Sequence, residues 1–401
     1  MTGSTLRPAV SLLCLLIRSA LCAFFLFAFP VRAAATGSPL PASDTLLIDD
    51  GDRRSLLTAA ERQLEYLDTL AENRQWQIGH HAVKTADLRD SIHSFLAIIR
   101  HEDSPEDISA RLRDAFTLVA ADLPAGPDTA RKTLVTGYFE PILEGSLSRN
   151  ALFKYPIYGR PADLVVNAGK RQAAVGRRSE SGIVPYWTRQ QIETELPLAG
   201  SELVYLQDPV EAFILHIQGS GKIRLRDGSL RSLRFAAANG HPYRSIGKLL
   251  VDEGRLALEE ATLPGIESYL RDHPQDLWRI LHANPRYIFF AWGEDAAVRG
   301  SAGQELTPGR SIAVDPAAVP LGSVAFITTQ RPVFDESGRL TGWRPLRRFV
   351  FPQDSGAAIK GPDRVDLFLG SGQEARNSAG LLREPGALYL LLPKQTKGLS
   401  P

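Results

Sequence analysis

The sequence predicts a mainly β protein with N-terminal helices, built on β-barrels rather than on a parallel α/β sheet. From about residue 135 onward, short apolar runs are separated by glycine and proline, which is typical of strands joined by turns. Before that point the apolar residues recur at helical spacing, and no internal repeat or heptad pattern is present. Many short strands at close spacing favour closed barrels.

Length and composition narrow the class of protein further. At 401 residues the chain exceeds the usual size of one domain, so we expect two domains around separate cores. The 46 basic and 45 acidic residues nearly cancel, which gives no charge argument for a nucleic-acid partner. A hydrophobic content of 44% excludes general disorder.

Residues 1–35 predict a secretory signal. Two apolar stretches separated by Arg18 are followed by small residues at 33–35, where we expect cleavage. An uncleaved membrane anchor is the alternative, because the apolar region is longer than a usual signal core. Residues 36–50 are rich in Ser, Pro and Ala and predict a flexible lead-in.

Both cysteines, Cys14 and Cys22, lie inside this N-terminal segment. A lipoprotein signal would place a small residue before the acylated cysteine, whereas Leu13 and Leu21 stand there, so we do not expect lipidation. After cleavage the protein has no thiol or disulfide, and a large core can replace disulfides in an exported protein of this size.

Helices are predicted in two groups. Ser104, followed by Pro105, predicts an N-cap for the third helix, and Thr188 with Gln191 predicts a capping box. The predicted ranges are Ser55–Leu70, Asp87–Arg100, Ser104–Phe116, Thr188–Glu195, Ser245–Glu253, Pro264–Arg271 and Pro274–Ala283.

Strands fill much of the remaining chain. Gly219–Gly221 predicts a tight hairpin turn, and Asp335–Gly338 predicts the turn of a long hairpin. The predicted strands are Thr133–Phe139, Leu203–Tyr205, Ala212–Gln218, Lys222–Leu225, Tyr287–Trp292, Ser311–Val314, Ser323–Thr329, Arg348–Phe351, Val365–Leu369 and Ala387–Leu392.

Three aspartates stand in short motifs of small or apolar residues in the last third of the chain: Asp315, Asp354 and Asp366. Strand alternation places Asp366 and Phe368 on one face, where an aromatic neighbour would desolvate the carboxyl and raise its pKa. A protonated carboxyl group is what general-acid chemistry on a glycosidic bond requires. A strand-end carboxylate bonded to backbone amides is the alternative interpretation.

The other two aspartates have simpler interpretations. Asp354 precedes a tight turn and a cation, Lys360, and it is either a second catalytic carboxylate or a group that orients its neighbours. Asp315 precedes Pro316 and predicts a turn or strand-end group. The spacing of the aspartates fits no calcium loop and the histidines are scattered, so no metal and no cofactor are expected.

Two further patterns bear on ligand binding. Gly370–Ala375 fits the glycine fingerprint of dinucleotide binding, but only one strand follows it, so we interpret it as a helix-entry turn. In the predicted strand at 212–218, Phe213, Leu215 and Ile217 share one face, and His216 and Gln218 the other. Such polar side chains, together with Tyr138, Tyr155, Trp187 and Tyr243 in nearby segments, predict a sugar-binding surface.

Taken together, these motifs resemble the membrane-bound lytic murein transglycosylase A family over about residues 87–394. The matching segments, in collinear order, are Thr136–Pro141, Tyr155–Tyr158, Ile217–Gly221, Asn239–Tyr243 and the three aspartate motifs. The resemblance implies a double-psi β-barrel domain in two segments, 51–137 and 284–396. A substrate-binding β-barrel domain at 138–283 is inserted between them, with a glycan groove between the two.

The same resemblance implies the activity and the site. Asp366 is expected to be the catalytic residue, with Asp315, Asp354 and Lys360 in support. The expected substrate-binding residues are Tyr138, Glu140, Tyr155, Gln218, Ser220 and Tyr243. The family activity is cleavage between N-acetylmuramic acid and N-acetylglucosamine in peptidoglycan, with a 1,6-anhydro product.

Two alternatives stay open from the sequence: a hydrolytic glycosidase that uses Asp354 as a base for water, and a non-catalytic wall-binding module. The expected partners are peptidoglycan glycan strands and, further, other cell-wall enzymes, with no nucleic acid and a monomeric state. We expect an exported, periplasmic protein, with association to the outer membrane as a further expectation.

Overall fold

The structure is a computed structural model that describes residues 46–78, 81–101, 103–121, 133–168, 173–180 and 182–394. The predicted signal segment, its cleavage site and all but the end of the predicted lead-in at 36–50 lie outside the described residues. Within them, no helix is long and apolar enough to cross a membrane.

In the described residues, runs of consecutive strands are separated by single helices or short groups of helices. The helices are α1 (Arg53–Asp68), α2 (Thr85–Ile99), α3 (Pro105–Ala115), α4 (Arg189–Glu195), α5 (Pro209–Gln218), α6 (Ile246–Asp252), α7 (Leu263–Asp272), α8 (Leu277–His282) and α9 (Gly372–Leu381). The strands are β1 (Gln75–Ile78), β2 (His81–Lys84), β3 (Phe116–Ala120), β4 (Thr133–Glu140), β5 (Ile142–Ser146), β6 (Tyr155–Tyr158), β7 (Leu164–Ala168), β8 (Ala173–Ser179), β9 (Gly182–Val184), β10 (Glu202–Leu206), β11 (Gly221–Arg224), β12 (Leu230–Ala238), β13 (Ile288–Trp292), β14 (Ser311–Val314), β15 (Ala325–Phe334), β16 (Leu340–Ser355), β17 (Arg364–Ser371) and β18 (Arg383–Pro393).

The largest sheet closes into a barrel. Its strand order is β15-β16-β14-β17-β4-β18-β3, and an additional pairing of β15 with β18 joins the ends of a six-stranded ring. The ring contains two parallel pairs, β14 with β16 and β4 with β17. A closed ring leaves no unpaired strand edge among those six strands.

A second sheet has the order β13-β12-β11-β5-β10-β6. An isolated bridge between Gly159, just after β6, and Phe290 of β13 brings its two edges together. Its interior is lined by aliphatic and aromatic side chains such as Ile157, Val204 and Phe290. The predicted mainly β fold with two β-barrels is therefore confirmed.

The N-terminal helices cover the first barrel. Phe95 of α2 packs edge-on against Phe349 with ring centroids 5.0 Å apart, and Phe349 lies 4.9 Å from Phe326. Arg310, with only 1% of its side chain exposed, bonds both carboxylate oxygens of Asp49, at 2.6 and 2.8 Å. This paired, buried charge holds the segment before α1 on the barrel.

Most predicted elements are confirmed. Ser104 caps α3 by accepting a hydrogen bond from the Asp107 amide, and Thr188 and Gln191 form the predicted capping box of α4. The turn at 335–338 joins β15 and β16, which pair over ten register positions and extend well beyond the predicted ends. Residues 370–375 enter α9, as predicted for a helix-entry turn.

The prediction of a strand at 212–218 is wrong, because the segment belongs to α5. Asp208 caps this helix by accepting a hydrogen bond from the Val210 amide, Pro209 occupies its first turn, and Gly219 ends it at φ +78°. The predicted hairpin at 219–221 is therefore also wrong, and β11 pairs instead with β12 and β5. A short apolar run cannot distinguish strand from helix by its periodicity alone.

The predicted domain borders, after 137 and after 283, stay a prediction. Strand β4 continues to Glu140 within the first barrel, and β13, which lies after residue 283, pairs with β12 in the second sheet. At Gly137 a Cβ atom would lie 2.9 Å from the Ala379 backbone, so the missing side chain permits α9 to pack directly on β4.

Candidate active site

Four neighbouring strands of the first barrel bring two of the aspartates into one row. Ala313 of β14 is in register with Asp354 of β16 on one side and with Asp366 of β17 on the other, and Thr136 of β4 continues the row. Because neighbouring strands lie about 4.8 Å apart, the two aspartate backbones are separated by roughly 10 Å. Ala313, with its small side chain, is the residue between them in the sheet.

Asp366 has an unusual environment for a carboxyl group. Its side chain is 19% exposed, yet its Oδ1 is buried and makes no hydrogen bond with any described residue. Nη2 of Arg364 is 3.8 Å from Oδ1, close enough to attract the charge but too far for a hydrogen bond. Burial raises the pKa of Asp366 to about 6, with Arg364 opposing the rise and Asp354 adding to it.

Asp354 is fully engaged in hydrogen bonds. Its Oδ1 accepts from the backbone amides of Ser301 and Ser355, each at 2.8 Å, and its Oδ2 accepts from the Tyr138 hydroxyl at 2.9 Å. Burial raises the pKa of Asp354, although these hydrogen bonds oppose the rise. Such an environment favours the interpretation in which Asp354 orients its neighbours.

Tyr138 joins the row of aspartates to the aromatic part of the site. Its ring lies 5.2 Å from that of Phe368, which is its register partner on β17. Burial, followed by the charge and hydrogen bond of Asp354, raises the pKa of Tyr138 well above its ordinary value. The hydroxyl therefore stays a donor at any physiological pH.

Asp315 lies at the end of β14 and differs from the other two aspartates. Its Oδ1 accepts from the Ala317 amide at 3.1 Å and its Oδ2 from the Gly361 amide at 2.9 Å. Partial burial works against the charged form, but these bonds and the nearby Lys360 hold the pKa of Asp315 below its ordinary value. Lys360 itself is exposed. Asp315 is thus an ionised group that fixes the turn at Gly361.

A cavity of about 630 Å³ opens beside the row of aspartates. Thr136 and Arg364, the neighbours of Asp366, line it together with Gln218 and Tyr243. Oε1 of Gln218 accepts a hydrogen bond from the Phe139 amide at 3.1 Å. Burial raises the pKa of Tyr243, and the charge of Asp366 contributes to this rise. Tyr243 therefore lies close enough to the predicted catalytic residue to feel its charge, whereas Gln218 shares the cavity lining with Tyr243, and Asp366 itself is not part of that lining.

Glu140, predicted to bind substrate, lies at the junction of the two sheets. Only 2% of its side chain is exposed, and its Oε2 is 3.0 Å from Nζ of Lys222 and accepts from the Ser371 hydroxyl at 2.6 Å. Lys222 belongs to β11 of the second sheet, whereas Glu140 and Ser371 belong to the first barrel. Burial and pairing favour a structural role for this carboxylate.

Tyr155 and Ser220 do not line the cavity. The Tyr155 ring lies 6.1 Å from that of Trp278, which is 41% exposed and lies 5.4 Å from the His282 ring. Ser220 is half-buried in the short link between α5 and β11. Their predicted contact with substrate stays a prediction.

Sequence reasoning missed two residues of this site. The Ser301 backbone amide donates a hydrogen bond to Asp354 from a loop fifty-three residues away in the sequence. No local sequence pattern predicts this contact. Arg364 could have been found, because the alternation that pairs Asp366 with Phe368 also places Arg364 on the same strand face.

The arrangement suits proton transfer. A carboxyl group with a pKa near 6 is populated in both protonation states around mildly acidic pH, so it can give a proton and take it back. Within the described ranges, no group of three His, Cys, Asp or Glu side chains is placed to hold a metal ion. The expected lack of a cofactor stays a prediction.

Comparison with known proteins identifies the family of this chain. Residues 134–291 match the family model of the MltA specific insert domain, and residues 310–392 match that of the 3D domain. The chain is 31% identical over 279 residues to the membrane-bound lytic murein transglycosylase A of Vibrio cholerae, covering 69% of each chain. It is 30% identical over 268 residues to the Escherichia coli K12 protein of the same name, covering 66% of this chain and 67% of the relative.

A solved structure agrees with these relatives. The crystal structure of a membrane-bound lytic murein transglycosylase from Agrobacterium tumefaciens superposes with a TM-score of 0.68 at 29% identity, covering 85% of this chain and 93% of that one. The fold, the two matching family models and the sequence identity all point to the same family of proteins. The chain therefore belongs to the membrane-bound lytic murein transglycosylase A family.

Proposed function

We propose that this protein is a lytic transglycosylase that cleaves the β-1,4 bond between N-acetylmuramic acid and N-acetylglucosamine in peptidoglycan. The observation that carries the proposal is Asp366, a carboxyl group with a pKa raised to about 6, beside a cavity of about 630 Å³. The relatives named above are murein transglycosylases, which supports the substrate class.

The reaction needs one carboxyl group. Protonated Asp366 gives its proton to the oxygen that links the two sugars, the bond from C1 to that oxygen breaks, and an oxocarbenium-like centre forms at C1. The Asp366 carboxylate then takes the proton of the C6 hydroxyl of the same muramyl residue as that oxygen bonds to C1. The product is a 1,6-anhydromuramic acid, and no water is consumed.

The other aspartates support this step. Asp354 keeps Tyr138 in place and, as a neighbouring negative charge, favours the protonated form of Asp366. Asp315, with Lys360 nearby, fixes the turn at Gly361. Three hydrogen-bond donors already occupy Asp354, which makes it a poor base for an attacking water, as the hydrolytic alternative would require.

The glycan is proposed to lie between the two barrels. Gln218 and Tyr243 line the cavity and would contact the sugar through amide and phenol groups. The two sheets support an inserted second barrel near 138–283, and we propose that its C-terminal border lies after β13, at about residue 293, rather than at 283. The monomeric state and any association with other cell-wall enzymes stay predictions.

The location follows from the substrate. Peptidoglycan lies outside the cytoplasm, so we propose that the protein is exported and works in the periplasm. The relatives carry the words membrane-bound in their names, which supports attachment to a membrane of the cell envelope. Of the membranes of the cell envelope, we propose the outer membrane as the one with which the protein associates.

The experiment is digestion of purified peptidoglycan sacculi, with products read by mass spectrometry. We expect muropeptides lighter than the hydrolysis products by one water, and none from Asp366→Asn. Reducing-end muropeptides would replace the proposal by hydrolysis. Retained pelleting on sacculi without any release would replace it by a binding module.

A further inference from the structure

The two oxygens of the Asp366 carboxyl group lie in different surroundings. Oδ1 is buried and accepts no hydrogen bond from any described residue. Oδ2 is not among the buried atoms that lack a partner, and 19% of the side chain is exposed. Only Oδ2 is placed to give a proton to a substrate, so the reaction depends on which oxygen carries the proton.

Arg364 is the cation next to the buried oxygen. It stands two residues before Asp366 on β17, so both side chains leave the same face of the strand. Its Nη2 is 3.8 Å from Oδ1, and its Nε is buried without a hydrogen-bond partner in the described residues. Arg364 is also one of the residues that line the cavity.

We propose that Arg364 is the positioning residue of the reaction: its guanidinium keeps Oδ1 of Asp366 free of the proton and so directs that proton to Oδ2, which faces the substrate. A positive charge beside one oxygen of a carboxyl group disfavours a proton on that oxygen. The inference rests on the proposed function, because it assigns a partner to the acid of that reaction.

The same contact acts on the second half of the reaction. When Asp366 has given its proton to the leaving oxygen, a full negative charge forms in a buried place. The Arg364 guanidinium is the positive charge that faces it, and it stabilises the carboxylate until the C6 hydroxyl returns a proton. Without the guanidinium, the acid is weaker and the charged intermediate state is less stable.

The groups that face Asp366 come from several elements. Arg364 belongs to β17, Asp354 to β16, Tyr138 to β4, and Tyr243 to the segment before α6. Arg364 is the cation among them, whereas Asp354 favours the protonated form and the two tyrosines stay neutral. Removal of Arg364 is therefore expected to raise the pKa of Asp366.

The test is the pH dependence of kcat/KM on sacculi for Arg364→Met, which keeps the aliphatic stem, and for Arg364→Lys, which keeps the charge. For Arg364→Met we expect the alkaline limb to move up by about one pH unit. We expect its maximal rate to fall by about three- to tenfold, since a weaker acid transfers its proton more slowly. The limb of Arg364→Lys should stay near the wild-type position.

The exposed Arg347 of β16 offers a matched control, because Arg347→Gln also removes an arginine from a strand of the same barrel. Thermal melting shows whether each variant is folded, and Arg364→Gln replaces Arg364→Met if the latter is not. A lower rate at every pH with an unmoved limb would overturn the inference and leave Arg364 a structural role. An inactive wild-type protein would instead overturn the proposed function.

Discussion

Asp366 and Glu140 lie on the same pair of parallel strands, β17 and β4, yet the two carboxyl groups have opposite surroundings. Glu140 is 2% exposed and is bonded to Lys222 and Ser371. Asp366 is 19% exposed, and its buried Oδ1 has no hydrogen-bond partner in the described residues. One acidic group is paired and hydrogen-bonded where the two sheets meet, and the other faces a single cation, Arg364, at 3.8 Å without a hydrogen bond.

The difference distinguishes a carboxylate whose surroundings suit a structural role from one whose surroundings suit proton transfer. A buried charge is costly unless it is paired, and Glu140 meets that condition. Asp366 meets it only in part, because burial outweighs the attraction of Arg364 at 3.8 Å, so its charged form is disfavoured and its pKa rises to about 6. Poor pairing reduces stability at this site but provides an acid that works near neutral pH.

The largest expected effect is on activity. Asp366→Asn removes the proton donor but nearly keeps the shape of the side chain, so we expect turnover of sacculi to fall by about a thousandfold. Release of muropeptides, measured by mass spectrometry, checks the loss, and pelleting with sacculi checks that binding survives. Turnover near the wild-type level would remove Asp366 from the mechanism.

Glu140→Gln should act on stability instead. The substitution leaves the partly buried Lys222 without its carboxylate, so we expect the free energy of unfolding to fall by about 3 kcal/mol. Urea unfolding measures the loss. The double variant with Lys222→Met should recover much of it, because no unpaired charge remains, and activity per folded molecule should stay within severalfold of wild type.

Asp366→Asn should change stability in the opposite direction from Glu140→Gln. The pKa of Asp366 is raised from 3.8 to about 6 on folding, so the wild-type protein loses stability as the pH rises through that range. The asparagine variant does not titrate, and at pH 7 we expect it to be more stable by on the order of 2 kcal/mol. Unfolding curves at pH 4 and pH 7 check this, since the advantage should shrink at pH 4.

The smallest effect is expected at Asp354. In Asp354→Asn the negative charge that helps to raise the pKa of Asp366 is gone, so the alkaline limb of the activity profile should move to lower pH. The rate at the new optimum should fall by less than about tenfold, because Asp354 transfers no proton. A loss as large as that of Asp366→Asn would favour the hydrolytic mechanism, in which both carboxylates are essential.

Much of this contrast could be predicted from sequence, but not all. Alternation along 365–369 predicts which face Asp366 and Phe368 share, and capping residues such as Ser104 and Thr188 predict helix starts, because these signals are local. The ion pairs of buried carboxylates, by contrast, join residues that are distant in the sequence. Lys222 reaches Glu140 from the second sheet, so the motif at 136–141 gave no sign that Glu140 is bonded inside the protein.

The wrong strand at 212–218 has a similar origin. An apolar run of seven residues fits a strand or a buried helix, and the Asp208 and Pro209 signals that settle the question stand just before it. The sequence pattern therefore predicts Gln218 on a strand face, whereas Gln218 lies at the end of α5 and its Oε1 accepts a hydrogen bond from the Phe139 amide. Its position beside the cavity depends on how α5 packs against β4, which only the folded chain shows.

The most direct test of this account is activity per folded molecule, measured on sacculi for Asp366→Asn beside Glu140→Gln, with the folded fraction of each taken from unfolding curves at pH 7. The account predicts that Asp366→Asn is folded, stable and inactive, and that Glu140→Gln is less stable but active once its folded fraction is counted. An inactive, fully folded Glu140→Gln, or an Asp366→Asn that retains activity, would contradict it.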